Sequence, residues 1–141
     1  MILSIYNMFS DDQAITGNAA SSNVIDLGPI GNVPFTSTQL ARDIAKGNPV
    51  PILIQVTVAF ATIVTLTVTL QSDNDEAFGS AATVAATPAI GVASLVPGYR
   101  FPILYVPPGL GERYLRLYYT VSTSATAGKI TAGIVAGHQD Y

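Results

Sequence analysis

Between residues 49 and 72 apolar and polar side chains alternate twice in succession. In the first run Ile52, Ile54, Val56, Val58 and Phe60 occupy every second position, with Leu53, Gln55, Thr57 and Ala59 between them. In the second, Val64, Leu66, Val68 and Leu70 alternate with Thr65, Thr67, Thr69 and Gln71. Side chains of a strand point to its two faces in turn, so a period of two predicts one buried face and one wetter face. β-Branched residues dominate both runs and suit a pleated surface; on a helix these Ile, Val and Thr side chains would scatter round the cylinder. Two strands are therefore predicted, antiparallel to each other if the chain turns back near Ala61 and Thr62, and they form the core of an all-β domain.

The same period recurs later. Over residues 113–121, Leu115, Leu117, Tyr119 and Val121 share one face with Arg113 at its entry, and Tyr114, Arg116, Tyr118 and Thr120 share the other. Ile130, Ala132, Ile134 and Ala136 mark a last strand, and residues 23–27 a short one stopped by Gly28, Pro29 and Gly31. Residues 77–96 are rich in small side chains and predict one or two short strands interrupted at Pro88. Val96, Pro97, Gly98 and Tyr99 read as a type II turn, with proline setting φ at the second position and glycine supplying positive φ at the third. A strand over 99–106 follows, closed by Pro107, Pro108, Gly109 and Gly111.

Two segments admit alternatives. Residues 32–48 fit a two-turn helix capped by Ser37 or Thr38, with Leu40 and Ile44 on one face, or an extended connection held by Pro34, Pro49 and Pro51. Residues 1–13 carry Ile2, Leu3, Ile5, Tyr6, Met8 and Phe9, too apolar for a free tail. They either dock on their own sheet or form an N-terminal arm reaching another subunit. In total about eight short strands separated by Pro and Gly turns predict a two-sheet sandwich of jelly-roll type, formed as a single domain over 1–141. An Ig-like sandwich is the alternative, without its Cys and Trp marks.

Composition narrows the function. The 141 residues suit one domain with a real core, and the absence of cysteine removes disulfides, thiolate metal sites and cysteine nucleophiles. Mean hydropathy is +0.43, yet no run approaches the ~20 apolar residues of a spanning helix. A transmembrane barrel would need aromatic girdles, whereas the wetter faces here are rich in Thr. The first twelve residues lack a basic n-region and include Asp11 and Asp12, so no signal peptide is read and the chain is expected to stay in its cell or leave by lysis. A net charge of −3 with six scattered basic residues argues against a nucleic-acid partner. Only 11% of residues are charged, against about 25% in ordinary domains, and a surface so poorly defended against association suits an interface.

Candidate chemistry is sparse. Asp73, Asn74, Asp75 and Glu76 form an acidic cluster, but calcium needs six to eight oxygens and the EF-hand spacing fails at Ala77 and Phe78. The reading is a solvated loop tip, with a calcium site completed by another loop as the alternative. Gly109 and Gly111 do not continue into a phosphate loop. His138 is the lone histidine, three residues from the end, and the acids Asp26, Asp43, Asp75 and Glu112 contain no evident catalytic pair. No enzyme activity, metal or cofactor is expected. Arg116, between Tyr114 and Tyr118, can stack on a ring while pairing with a carboxylate, giving a face for a ligand or a subunit; the alternative is an arginine lying along a solvent face.

The order of the segments FSDDQAIT (9–16), SSNVIDLG (21–28), RDIAKGNPVPILIQVT (42–57), LTVTLQSDNDEAF (66–78), PGYRF (97–101), GERYLRLYYTV (111–121) and AGKITAGIV (127–135) resembles the capsid cement, or decoration, proteins of short-tailed bacteriophages of the Bordetella-phage type. The resemblance spans nearly the whole chain and rests on turn and strand residues. It implies a jelly-roll protein on the outer surface of an icosahedral phage head, made in the host cytoplasm, generally a homotrimer, bridging neighbouring copies of the major capsid protein. It implies no catalytic residues, and the chain has no evident receptor-binding domain. In that setting the candidate subunit or capsid interface comprises Leu3, Tyr6 and Phe9 of the N-terminal segment and the Tyr114, Arg116 and Tyr118 face. The rival reading is a carbohydrate-binding, lectin-like sandwich using tyrosines as stacking platforms, against which the absence of Trp counts.

Overall fold

A computed structural model of the chain describes residues 4–40 and 47–138. Among these residues ten strands form two antiparallel sheets: β1 (Met8–Ala14), β2 (Ala19–Ala20), β3 (Ile25–Asp26), β4 (Val50–Ala61), β5 (Thr65–Asp73), β6 (Ala82–Ala86), β7 (Ile90–Gly91), β8 (Tyr105–Val106), β9 (Tyr114–Val121) and β10 (Ala127–Ile134). One sheet has the order β1-β10-β4-β8, the other β2-β9-β5-β6, with β3 also on β9 and β7 also on β5. β2 and β3 share one position and β6 and β7 another, so the ten strands occupy eight places. First-half strands pair with second-half strands in nested order, β1 with β10, β2 and β3 with β9, β4 with β8, β5 with β6 and β7. This is a jelly roll. Helical structure among the described residues is confined to 3-10 turns at Ile5–Asn7 and Val92–Ser94, and no helix there is long and apolar enough to cross a membrane.

The two strongest alternating runs do not pair with each other. β4 lies between β10 and β8, whereas β5 lies between β9 and β6, so the chain crosses from one sheet to the other at residues 62–64. Ile52, Ile54 and Val56 on β4 and Leu66, Val68 and Leu70 on β5 fill one shared core, each at most 1% exposed. Each strand needs an opposing layer to bury its apolar face, which a hairpin in one sheet does not supply. The β9–β10 link makes a second crossing beside the first, and hydroxyls tie the two. Thr123 Oγ1 donates to Thr62 O at 3.0 Å, Thr126 N donates to Thr62 Oγ1 at 3.0 Å, and Ser122 Oγ accepts from Val64 N and Thr65 N at 2.9 and 3.0 Å. Thr62 itself sits in the left-handed region, φ 67°.

Two expected core residues are displaced. Val58 is half-exposed because the β10–β4 register slips on both sides of the Lys129–Val58 pair, so the alternation is lost there. Val64 is exposed because it belongs to the crossing, one residue before β5 begins. The N-terminal segment docks on its own sheet as β1, with Asn23 Nδ2 donating to Ile5 O at 3.0 Å and Met8 O at 2.7 Å. Within the core, Ser10 Oγ on β1 lies 2.7 Å from Tyr119 Oη on β9 and donates to Gln13 Oε1 at 2.7 Å. Gln13 Nε2 is committed to Ala20 O, so the single hydroxyl proton of Ser10 goes to Gln13 and Tyr119 donates to Ser10. That bond joins the two sheets, and burial pushes the Tyr119 phenol up despite it.

The connections follow proline and glycine. Gly98 has φ +92° and Tyr99 N donates to Val96 O at 3.0 Å, as the type II turn requires. Beyond it the chain follows β4, with Phe101 N on Ile54 O at 2.9 Å and Ile52 N on Leu104 O at 2.8 Å, but Pro102 interrupts the ladder and only Tyr105–Val106 forms a regular strand. Residues 31–40 are an exposed hairpin, and Ser37 and Thr38 cap no helix within it; the Ile44 part of that expectation falls at 41–46, outside the described residues. In the acidic cluster Asp73 is buried, accepting from Asp75 N at 3.0 Å, Ser80 N at 2.8 Å and Ser80 Oγ, whereas Asp75 and Glu76 are solvated.

Gly128 on β10 carries the ring of Phe60, and a Cβ there would fall inside that ring at φ +137°. Gly128→Ala is expected to cost about 1–3 kcal/mol of stability, read from denaturant unfolding. The Asp73 carboxyl is held below the ordinary carboxylate range chiefly by the Asp75 N–H, against burial, with Ser80 reinforcing it. A depressed carboxylate stabilises the fold above its unfolded pKa of about 3.9 and loses that contribution as pH falls through the folded value. Asp73→Ala should therefore melt below wild type at pH 7, and the gap should close as the pH is taken below about 4.

Candidate functional site

The outer face of the second sheet carries the aromatic and cationic side chains of β9. Tyr114, Arg116 and Tyr118 stand opposite Asp73, Gln71 and Thr69 of β5. All three are half-buried, which is what a sheet face shows when long side chains lie along it. Arg116 Nε donates to Gln71 Oε1 at 2.8 Å, and its guanidinium carbon lies 4.2 Å from the centre of the Phe78 ring and 5.6 Å from that of Tyr118. The expected stacking on a ring is present, and Phe78 is the nearer partner. Asp73 positions it: by gathering the backbone of Asp75 and Ser80 it folds residues 73–80 back, and Phe78, at φ 53°, comes to rest buried. Phe78 is the aromatic that sequence reasoning missed. Its signal was an isolated large ring in a loop of acids and small residues.

The carboxylate pairing expected at Arg116 is made by Arg113 instead. Arg113 Nε and Nη2 donate to Asp26 Oδ1 and Oδ2 at 2.7 and 2.8 Å, and the guanidinium lies 4.9 Å from the Tyr114 ring. This bidentate pair clips β3 to β9 and, as the largest cause, raises the Arg113 pKa. Beside it opens a recess of about 320 Å³ lined by Pro29, Ile30, Gln39, Asn74 and Arg113. Other candidate groups have structural partners: Glu112 accepts from Ser72 Oγ, and His138 Nε2 contacts Leu104 O at 2.8 Å with its ring edge-on to Tyr105. Asp43 lies outside the described residues. Among the described residues no group of three or more His, Cys, Asp or Glu could hold a metal ion.

The N-terminal candidates separate. Phe9 is fully buried in this chain's own core and has no side-chain surface to offer a neighbour. Tyr6, on the 3-10 turn ahead of β1, is 84% exposed, and Ile5 beside it 70%. Leu3 lies outside the described residues. Of the two described, Tyr6 is therefore the one placed to meet a partner, close to the edge of the first sheet. The first sheet's cation, Lys129, is neutralised by Asp12 at 2.6 Å, and Asp12 also accepts from Thr57 Oγ1 at 2.7 Å. Together these features make faces that can lie against another protein with little charge to desolvate.

No curated protein matches the chain. The family model of Bbp16, by contrast, matches residues 9–134, from β1 to the end of β10. The chain belongs to the Bbp16 family, a family of phage-related proteins.

Proposed function

We propose that this protein is a capsid cement, or decoration, protein that binds the outer surface of an icosahedral phage head as a homotrimer and bridges neighbouring major capsid protein subunits. The observation that carries the reading is membership of a phage-related family over nearly the whole chain. The architecture supports it physically. A shell under outward pressure is strengthened by added contact area, and a two-sheet sandwich with weakly charged faces supplies area with a small desolvation cost. Such a role needs no turnover, cofactor, nucleic acid or membrane. The contact residues in this reading are Tyr6 and the Tyr114, Arg116 and Tyr118 face.

Mixing the purified chain with shells of the major capsid protein tests this directly. A trimer by light scattering that co-sediments with shells and raises their melting temperature is the expected result. A monomer that ignores shells would overturn the reading, and competable glycan binding by that monomer would place the lectin-like alternative first.

Arg116→Ala is expected to weaken shell binding or trimer formation by tenfold or more, on the order of the loss of an interface anchor, with the fold retained. Unchanged mass and unchanged shell occupancy would leave Arg116 as a surface side chain. Removal of residues 1–7 should lower occupancy on shells while leaving Phe9 and β1 in place; full occupancy would exclude Tyr6 from the contact.

A further inference from the structure

Residues 31–40 leave the sandwich as a hairpin, closed by Leu40 N on Gly31 O at 2.9 Å and Val33 N on Thr38 O at 2.8 Å. Every residue from 29 to 40 is exposed. At the tip Phe35 is exposed over its whole surface and sits at φ 62°. A bulky residue in the left-handed region is a strained outlier, and a fully hydrated phenyl ring leaves the gain of its burial unrealised. Glycine would remove both. Pro34 stiffens the approach to the tip, so little conformational freedom remains to be lost if the ring docks. Residues 27–40 contain no charged side chain, so identical hairpins do not repel one another.

The recess lined by Pro29, Ile30, Gln39, Asn74 and Arg113 lies at the base of this same hairpin. The recess, about 320 Å³, is open to solvent and has room for a phenyl ring. Its walls combine apolar Pro29 and Ile30 with Gln39, Asn74 and the flat guanidinium of Arg113, which Asp26 and the Tyr114 ring hold in place and against which a further ring can lie. We infer that the hairpin is a docking device for a second copy of this chain, with Phe35 of one copy inserted into the recess of its neighbour. Tip and recess are different patches, so the contact generates a ring where the rotation between copies closes, or, with two hairpins lying antiparallel, a reciprocal pair. The inference does not rest on the capsid reading, and its test contains no shells.

The chain has no cysteine, which makes directed cross-linking clean. Under mild oxidation, Phe35→Cys chains mixed with Ile30→Cys chains should form a mixed disulfide at least tenfold faster than Phe35→Cys with Val64→Cys, an exposed control at the sheet crossing. In parallel, Phe35→Gly should self-associate about tenfold to a hundredfold more weakly, the loss expected for one buried aromatic, while melting at the same temperature as the wild-type monomer or higher. Equal cross-linking at Ile30 and Val64, unchanged self-association of Phe35→Gly, or a wild-type chain that stays monomeric at millimolar concentration would each overturn the inference.

Discussion

The structure depends on β4 and β5 facing each other across the core. Six side chains, Ile52, Ile54 and Val56 against Leu66, Val68 and Leu70, are almost completely withdrawn from water, and each such burial is worth roughly 1.5–3 kcal/mol. The exposed ion pairs Asp12–Lys129 and Arg113–Asp26 are screened by solvent and contribute little beside that. Because β4 and β5 are consecutive, their opposition forces the crossing at residues 62–64. The return crossing from β9 to β10 lies against it, and Ser and Thr hydroxyls between them bond backbone groups of both links. The links β1–β2, β3–β4, β7–β8 and β8–β9 also change sheet, and the nested pairing is the product of all these crossings together.

Hydroxyls and amides perform most of the polar work elsewhere too. The Tyr119, Ser10 and Gln13 chain ties the sheets through the core, and Asp73 organises its loop by accepting from the backbone. With 11% charged residues the molecule presents faces built from Thr, Ala and Tyr, with single cations held by neighbours. Such a surface gives up little hydration when it meets another protein. The strain and exposure concentrated at Phe35 stand apart from this economy, because its ring is buried by nothing in its own chain.

Much of this was legible in the residues. Alternation placed Leu115, Leu117 and Tyr119 inside and Tyr114, Arg116 and Tyr118 outside, and Pro97 with Gly98 marked a turn that the backbone adopts. Other features escaped for identifiable reasons. Val58 lost its place because a bulge depends on the partner strand's register, a quantity that no single strand encodes. Phe78 reached the Arg116 guanidinium through a loop folded by Asp73, a contact set by hydrogen bonds across residues 73–80. Phe9 looked like interface material because an apolar residue in a terminal segment reads the same whether it is buried by its own chain or by another.

By itself, the sequence determined the all-β class, the alternation of faces along the regular stretches of β4, β5 and β9, and the low charge that makes association easy. These are local properties, set by the period-two geometry of a strand and by side-chain chemistry. Tertiary structure alone decided that β4 and β5 belong to opposite sheets, that Arg113 takes Asp26 while Arg116 takes Gln71 and Phe78, and that residues 31–40 stand clear of the sandwich with Phe35 at their tip. Each of those outcomes depends on which distant segment arrives alongside, and that is settled by the joint packing of two layers, to which every strand contributes at once.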